Sequence, residues 1–415
     1  TRLWPMSRSS FPKQFTNIFG KRSVFQETVL RFKSVLFKEP LIVTNEEFRF
    51  IVLEQLDDIG IKAETILIEP EPKNTAPAIC AAAVYLKNKF IDENMIVAAS
   101  DHLIPEINLF HESVKLGSSY IEANNSLLLF GVVPSYPETG YGYIKISDTS
   151  ENKIAKVVNF VEKPSLDRAR VMISSGCFLW NSGIFMFSVK SILAEFSKYD
   201  STTLHAMDSI MMPKDSSYNF SRFEKSKWSK LNNISIDFSI LEKSKNISVL
   251  SFPGSWSDIG DWMAIWRESE RDSRNNSFSE TNVNAIDCEN SLVRVDSGGT
   301  EVVAIGLKDI GVVVTSDSVL VMDLYRSQDV KLAIEDMRKN NKPQADQFPR
   351  NHRPWGWFES LNISEKYQVK KLSVKPYATL SLQSHRYRSE HWIVVSGLAE
   401  VTVEESVKVL KENES

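Results

Sequence analysis

Apolar positions over the first two thirds of the chain follow two rhythms. Pro40-Leu41-Ile42-Val43-Thr44, Thr65-Ile66-Leu67-Ile68-Glu69 and Met95-Ile96-Val97-Ala98-Ala99 are short, continuous apolar runs of strand length. Between them, a polar segment from Glu46 to Ile59 and an Ala-rich segment from Ala76 to Phe90 carry a helical rhythm. Pro77 falls in the first turn of the second helix, where a missing N–H costs nothing. Continuous apolar strands alternating with helices predict an α/β domain whose buried parallel sheet is covered on both faces. In such sheets ligands bind at the carboxyl ends of the strands. Asp101, in Ala99-Ser100-Asp101-His102, sits just past one such end.

The rhythm changes after about residue 282. Leu292–Val295, Val302–Ile305, Val312–Thr315 and Val319–Met322 are short β-branched runs at about ten-residue spacing, which predicts a small all-β layer or a few turns of a β-helix. A charged helix is expected over 327–339, then a linker at Asn340-Asn341-Lys342-Pro343. From Arg353 onward the pattern reads as antiparallel strands with turns. Three regions follow: 1–270, 271–340 and 345–415.

Length and composition agree with this division. A chain of 415 residues is too long for one ordinary core. Its 42% hydrophobic and 25% charged residues are those of a globular protein. A net charge of −4 argues against a nucleic-acid surface. No apolar run approaches the roughly 20 residues needed to cross a bilayer. Cys80, Cys177 and Cys288 are far apart and form no CxxC pair, which favours a reducing cytoplasm over disulfides or a cysteine zinc site.

Several clusters could carry chemistry, and each has a plainer reading beside it. Arg2, Arg8 and Lys13 place three cations in a Pro-containing N-terminal loop, which suits a triphosphate or is simply a basic tail. Asp101 is either a metal ligand or a helix N-cap. Asp258 lies in Gly254-Ser255-Trp256-Ser257-Asp258-Ile259-Gly260-Asp261-Trp262, a turn that packing alone does not explain. Glu162-Lys163-Pro164 ends a strand, as a site or as a salt-bridge pair. Thr139-Gly140-Tyr141-Gly142-Tyr143 is a hairpin signal, and Asn74-Thr75 a helix cap. Near the end, Gln383 and His385 would share one face of a strand, with Glu390 returning on the next strand after a turn.

Taken in order, these motifs resemble the nucleotide-sugar pyrophosphorylases. Thr1-Arg2-Leu3-Trp4-Pro5 with Pro12-Lys13-Gln14-Phe15 is similar to the bacterial mannose-1-phosphate guanylyltransferases. The resemblance implies a Rossmann-like, GT-A-like nucleotidyltransferase domain acting on GTP and mannose 1-phosphate to give GDP-mannose and diphosphate. It implies Arg2 and Lys13 on the triphosphate, Mg²⁺ on Asp101 and Asp258, Lys163 on the sugar phosphate, and Glu162 and Asn181 on sugar hydroxyls. Gly140, Tyr141 and Gly142 would let the backbone approach the sugar. Glu69-Pro70 with Asn74-Thr75 would recognise the base. The Gln383, His385, Glu390 set resembles the first motif of a cupin barrel of the type II phosphomannose isomerases, which implies Zn²⁺. That barrel motif lacks its second half here, and the N-terminal loop lacks its glycines, so truncation at both ends is expected and isomerase activity is left open. Other sugar-1-phosphate nucleotidyltransferases and a non-catalytic sugar-nucleotide-binding homologue are the alternatives; a homo-oligomer is allowed.

Overall fold

The computed structural model describes residues 1–89, 91, 93–147, 153–210, 219–296 and 298–415. Two sheets build the N-terminal region. The smaller is parallel throughout: β1 (Leu41–Asn45), β2 (Thr65–Glu69) and, later in the chain, β8 (Phe220–Arg222), in the order β1-β2-β8. The larger has six strands in the order β3-β7-β4-β9-β6-β5. These are β3 (Asn94–Val97), β4 (Leu127–Val132), β5 (Tyr143–Ile146), β6 (Ile154–Val161), β7 (Phe178–Ser188) and β9 (Ile247–Ser251).

The strand–helix alternation predicted from the apolar rhythm is present. The single parallel sheet is not: two of the three predicted strands pair in the small parallel sheet, and the third, β3, enters the larger one. β7, eleven residues long, runs antiparallel to β3, β4 and β5, so the large sheet is mixed. β1 is half-buried rather than buried, because among the described residues it pairs only with β2. β2 and β4, with neighbours on both edges, are buried at every position.

Helices cover these sheets where their apolar sides demand. The helix Thr75–Asn88 buries nine residues, four of them alanine, which lets it lie close to the sheet and the helices beside it. Phe90, placed at the end of this helix by the sequence pattern, lies outside the described residues. The Glu46–Ile59 prediction resolves into a 3-10 turn, Glu46–Phe48, and an α-helix, Arg49–Asp58.

The β-branched runs form a stacked, largely parallel arrangement. β10 (Ser277–Phe278), β12 (Leu292–Asp296) and β14 (Ile310–Thr315) pair in parallel, as do β11 (Val283–Ile286) and β13 (Val302–Ile305). β15 (Val319–Asp323) closes the stack antiparallel. A helix, Val330–Lys339, follows. This unit shares a core with the N-terminal loop: Leu3, Trp4 and Met6 cluster with Trp262, Leu292, Val313 and Ile334. The Trp262 indole N–H donates to the Trp4 carbonyl, and the Trp4 indole N–H to the Gln344 carbonyl. The expected linker at 340–343 is exposed, and Ala345 just beyond it is buried.

The C-terminal region contains the antiparallel sheet β16 (Arg350–Arg353), β17 (Gly356–Ile363), β18 (Gln368–Val374) and a hairpin, β19 (Ala399–Val403) with β20 (Ser406–Leu410). It docks through His352, whose Nδ1 lies 2.7 Å from Glu54, and through Phe348, which stacks on Phe11. Residues 376–398 form no regular strand, so Gln383 and His385 are not on the strand face that their spacing predicted. Among the described residues no strand pairs with this stretch. Val394 exchanges backbone hydrogen bonds with Glu414 and Asn413, but the alternation from Trp392 to Gly397 builds no sheet wall.

Candidate functional site

Lys13, Asp101 and Asp258 meet beyond the strand ends. A 3-10 turn, Lys13–Phe15, directs the Lys13 side chain inward. Its ammonium is 3.1 Å from the Asp101 carboxylate and also donates to the Asp258 carbonyl. Lys13 therefore contacts the two acids that the sequence singled out as metal ligands. Asp101 is not a helix N-cap: the next helix, Ile107–Asn124, starts after Glu106. Burial works against ionisation of Asp101, but Lys13 and His102 outweigh it and hold the carboxyl below the usual carboxylate range.

His102 was not singled out by sequence. Its Nδ1 accepts the Trp256 indole N–H at 3.3 Å, which places the ring proton on Nε2, 3.5 Å from Asp101. Burial keeps His102 below its usual pKa, against the pull of Asp101. Behind it, Arg31 donates to the His102 carbonyl at 3.1 Å and lies over the Phe110 ring. Burial lowers Arg31 to about 10.

Tyr141 joins this acid cluster to a second group of residues. Its hydroxyl donates to Asp258 Oδ1 at 2.6 Å, and burial, then Asp258, pushes its pKa up. The Tyr141 carbonyl accepts the Lys163 N–H at 3.2 Å, and the Gly142 carbonyl accepts the Asn181 N–H at 2.8 Å. A Cβ on Gly142 would lie 2.6 Å from Glu162 Oε2 and 2.9 Å from the Phe160 ring, so a larger residue here forces one of them to move. Lys163 and Glu162 are paired at 2.9 Å. Gly140 donates to Glu138 at the outer end of the turn.

Asn74, Thr75, Glu162 and Lys163 line one cavity of about 350 Å³, together with Asp237 and Phe238. Asn74 caps the 75–88 helix through its own side chain, as its spacing predicted, and still faces the cavity. Glu69 ends β2 in a buried position with one oxygen unpartnered, and burial raises its pKa to about 7.

Non-glycine residues with left-handed backbone are uncommon, yet Asn74 (φ 67), Lys163 (φ 45) and the β-branched Ile259 (φ 48) all lie in or next to these groups. Such strain persists only where the surroundings impose it, and it collects at functional sites.

Two predicted residues stand elsewhere. Arg8 is buried, with both guanidinium ends on Asp317 and further bonds to the Gln347 and Pro5 carbonyls. It fastens the N-terminal loop to the β-helix and is not available to a triphosphate. Arg2 is exposed on that loop. In the C-terminal region, His385 Nε2 lies 3.0 Å from Glu390, and the Arg388 guanidinium contacts both; Gln383 is exposed. Among the described residues, no three His, Cys, Asp or Glu side chains converge as a metal site.

Comparison with known proteins gives the family. The family model for nucleotidyl transferases matches residues 1–275, and that for the mannose-6-phosphate isomerase C-terminal region matches residues 340–415. The chain is 38% identical over 421 residues to the mannose-1-phosphate guanylyltransferase of Escherichia coli (strain K12), covering 100% of this chain and 87% of that protein. It is 38% identical over 415 residues to the xanthan biosynthesis protein XanB of Xanthomonas campestris pv. campestris (strain B100), with 100% and 87% covered. The solved structure of mannose-1-phosphate geranyltransferase from Thermus thermophilus shares the fold, with a TM-score of 0.69 at 24% identity over 81% of this chain and 96% of that one. That of mannose-6-phosphate isomerase from Helicobacter pylori gives 0.54 at 31% identity, over 60% and 95%. The chain thus belongs to the nucleotidyl transferase family, in the group of the mannose-1-phosphate guanylyltransferases that carry an isomerase-type C-terminal region.

Proposed function

We propose that this chain transfers a guanylyl group from GTP to mannose 1-phosphate, releasing diphosphate and GDP-mannose for polysaccharide synthesis. The observation that carries this reading is Tyr141. It ties the Lys13–Asp101–Asp258 cluster to the Glu162–Lys163–Asn181 group through its hydroxyl and its carbonyl. One side suits the nucleotide phosphates and the other a phosphorylated sugar.

Asp101 and Asp258 fit a divalent cation such as Mg²⁺. They offer hard oxygen donors: the Asp101 carboxylate already faces a cation in the Lys13 ammonium, while Asp258 gives its backbone carbonyl to Lys13 and its carboxylate to Tyr141. A bound Mg²⁺ would neutralise charge on the phosphates. Lys163 would hold the sugar phosphate, whose oxygen forms the new bond to the α-phosphorus while the bond to diphosphate breaks. The attacking group is already an anion, so no side chain need take a proton, and positioning with fixed positive charge does the work. Lys13, on the N-terminal loop, would hold the triphosphate. Arg2, on the same loop, would reach the outer phosphates. Glu162 and Asn181 would bind sugar hydroxyls beside Gly140 and Gly142. Glu69, with Asn74 and Thr75, would face the base.

At the cupin-like end, the described donors do not fit a closed zinc site, because Arg388 already engages His385 and Glu390 and a structural zinc wants about four ligands. The three free cysteines suit a reducing compartment such as the cytoplasm. The test is diphosphate release with mannose 1-phosphate and GTP, UTP or dTTP. Preference for GTP supports the reading, and preference for UTP or dTTP assigns the site to another sugar nucleotide.

A further inference from the structure

Asp237 belongs to none of the motifs above, yet it faces the cavity that holds Glu162 and Lys163. It opens a five-residue π-helical turn, Asp237–Leu241, a form rare in proteins and frequent at functional sites. The turn is built in from both ends. Thr75 Oγ1 accepts the Ile236 N–H at 2.8 Å, and Ser239 donates to Asp200 at 2.8 Å. Asn181 Nδ2 donates to Asp237 Oδ1 at 3.0 Å, while Asn181 Oδ1 accepts the Gly183 N–H. The Asn181 amide is thereby fixed in one orientation, with its second N–H left to give. Two carboxylates, Glu162 and Asp237, share one cavity, in which Lys163 is paired with Glu162.

We propose that Asp237 and Glu162 form a two-carboxylate clamp for hydroxyls of the hexose phosphate, with Asp237 also holding Asn181 in its hydroxyl-binding orientation. This rests on the guanylyltransferase reading and names a specificity-determining residue for it. Adjacent carboxylates bind hydroxyl donors strongly, because each bond is charge-assisted. A hydroxyl donor between them also relieves their mutual repulsion, which unoccupied space does not. That repulsion is visible in Asp237 itself: burial, then Glu162, raises its pKa to about 6. Glu242, one turn on, is raised in the same way by burial and then Glu162. The charged groups around Asp237 are thus Glu162 and Lys163 across the cavity, Glu242 on its own segment, and Asp200 behind Ser239.

The test is Asp237→Asn in diphosphate-release kinetics. The amide keeps the shape and can still accept from Asn181, but it removes the charge. The expected result is a rise of about tenfold to a hundredfold in KM for mannose 1-phosphate, the scale of a hydrogen bond to a charged group, with KM for GTP unchanged. In the wild type, 1/KM for the sugar phosphate should rise with pH through about 6 more steeply than in the variant, where only the substrate phosphate ionises, with its second pKa also about 6. One deoxy analogue of mannose 1-phosphate, lacking the clamped hydroxyl, should bind wild type and variant alike. An unchanged KM for the sugar, an equal rise in KM for GTP, or no deoxy analogue that closes the gap would each overturn the clamp. A wild type inactive with mannose 1-phosphate would overturn the guanylyltransferase reading and the clamp with it; an active wild type beside an indifferent variant overturns the clamp alone.

Discussion

Gly142→Ala puts the geometry of the site under direct test. The added methyl would lie 2.6 Å from Glu162 Oε2 and 2.9 Å from the Phe160 ring. Ordinary contact starts at 3.4 Å, so the Glu162 carboxylate must retreat by about 0.8 Å, and a displacement on the order of 1 Å costs about 10²-fold in rate when it misplaces substrate. Phe160, buried on β6, cannot take up the strain by swinging into solvent. The Gly142 carbonyl still reaches Asn181, so the loss is specific to the Glu162 side. Steady-state diphosphate release, with mannose 1-phosphate varied at saturating GTP, should show kcat/KM for the sugar falling about 10²-fold. Gly298→Ala is the control, because its methyl would meet nothing within 4 Å, so the change should stay within about twofold. A Gly142→Ala enzyme with wild-type kcat/KM for the sugar phosphate would refute the placement of Glu162 at the substrate.

Two further predictions concern stability. Arg8→Met leaves Asp317 without its buried partner and should lower unfolding stability by about 3 kcal/mol in urea denaturation, while breaking the exposed Arg326–Asp329 pair should leave it unchanged. Glu69 has its carboxyl raised to about 7, so the folded state holds a proton that the unfolded chain releases near 4.3. Stability from this group is therefore full below about 4.3, falls as pH rises to about 7, and stays low above it, a loss on the order of 3 kcal/mol. Glu69→Gln should flatten that slope between pH 5 and 8 in the same assay.

Local signals in the chain were read well where one element decides them. The Val-rich runs from 292 to 322 became β12 to β15 almost residue for residue, because β-branched stretches bounded by Gly, Asp and Ser have few other uses. Asn74-Thr75 capped its helix as expected. What spacing could not show was which distant groups meet. Lys13 and Asp258 are brought together by the turn after Trp256, and Arg8 finds its partner in Asp317 rather than in a phosphate. Antiparallel β7 was hidden because a buried strand has the same apolar run in either direction. Residues 376–398 show the converse. Their alternation suits a barrel wall, yet a strand exists only where a neighbour supplies its hydrogen bonds. Asp237 carried a faint signal, a Ser-Ile-Asp cluster after Asn232-Asn233, that reads equally as a turn.

The Lys13–Asp101–Asp258 cluster is where we propose that the bond to the α-phosphorus is exchanged. Exchange of labelled pyrophosphate into GTP, with Mg²⁺ and GDP-mannose present, reads that chemistry in reverse: a pyrophosphate oxygen bonds to the α-phosphorus of GDP-mannose while the bond to mannose 1-phosphate breaks. Asp101→Asn keeps the shape and removes the charge that faces Lys13. The exchange rate should fall by at least about 10²-fold, the cost of removing one group that stabilises transition-state charge. Exchange at the wild-type rate in that variant would contradict the assignment of this cluster as the active site.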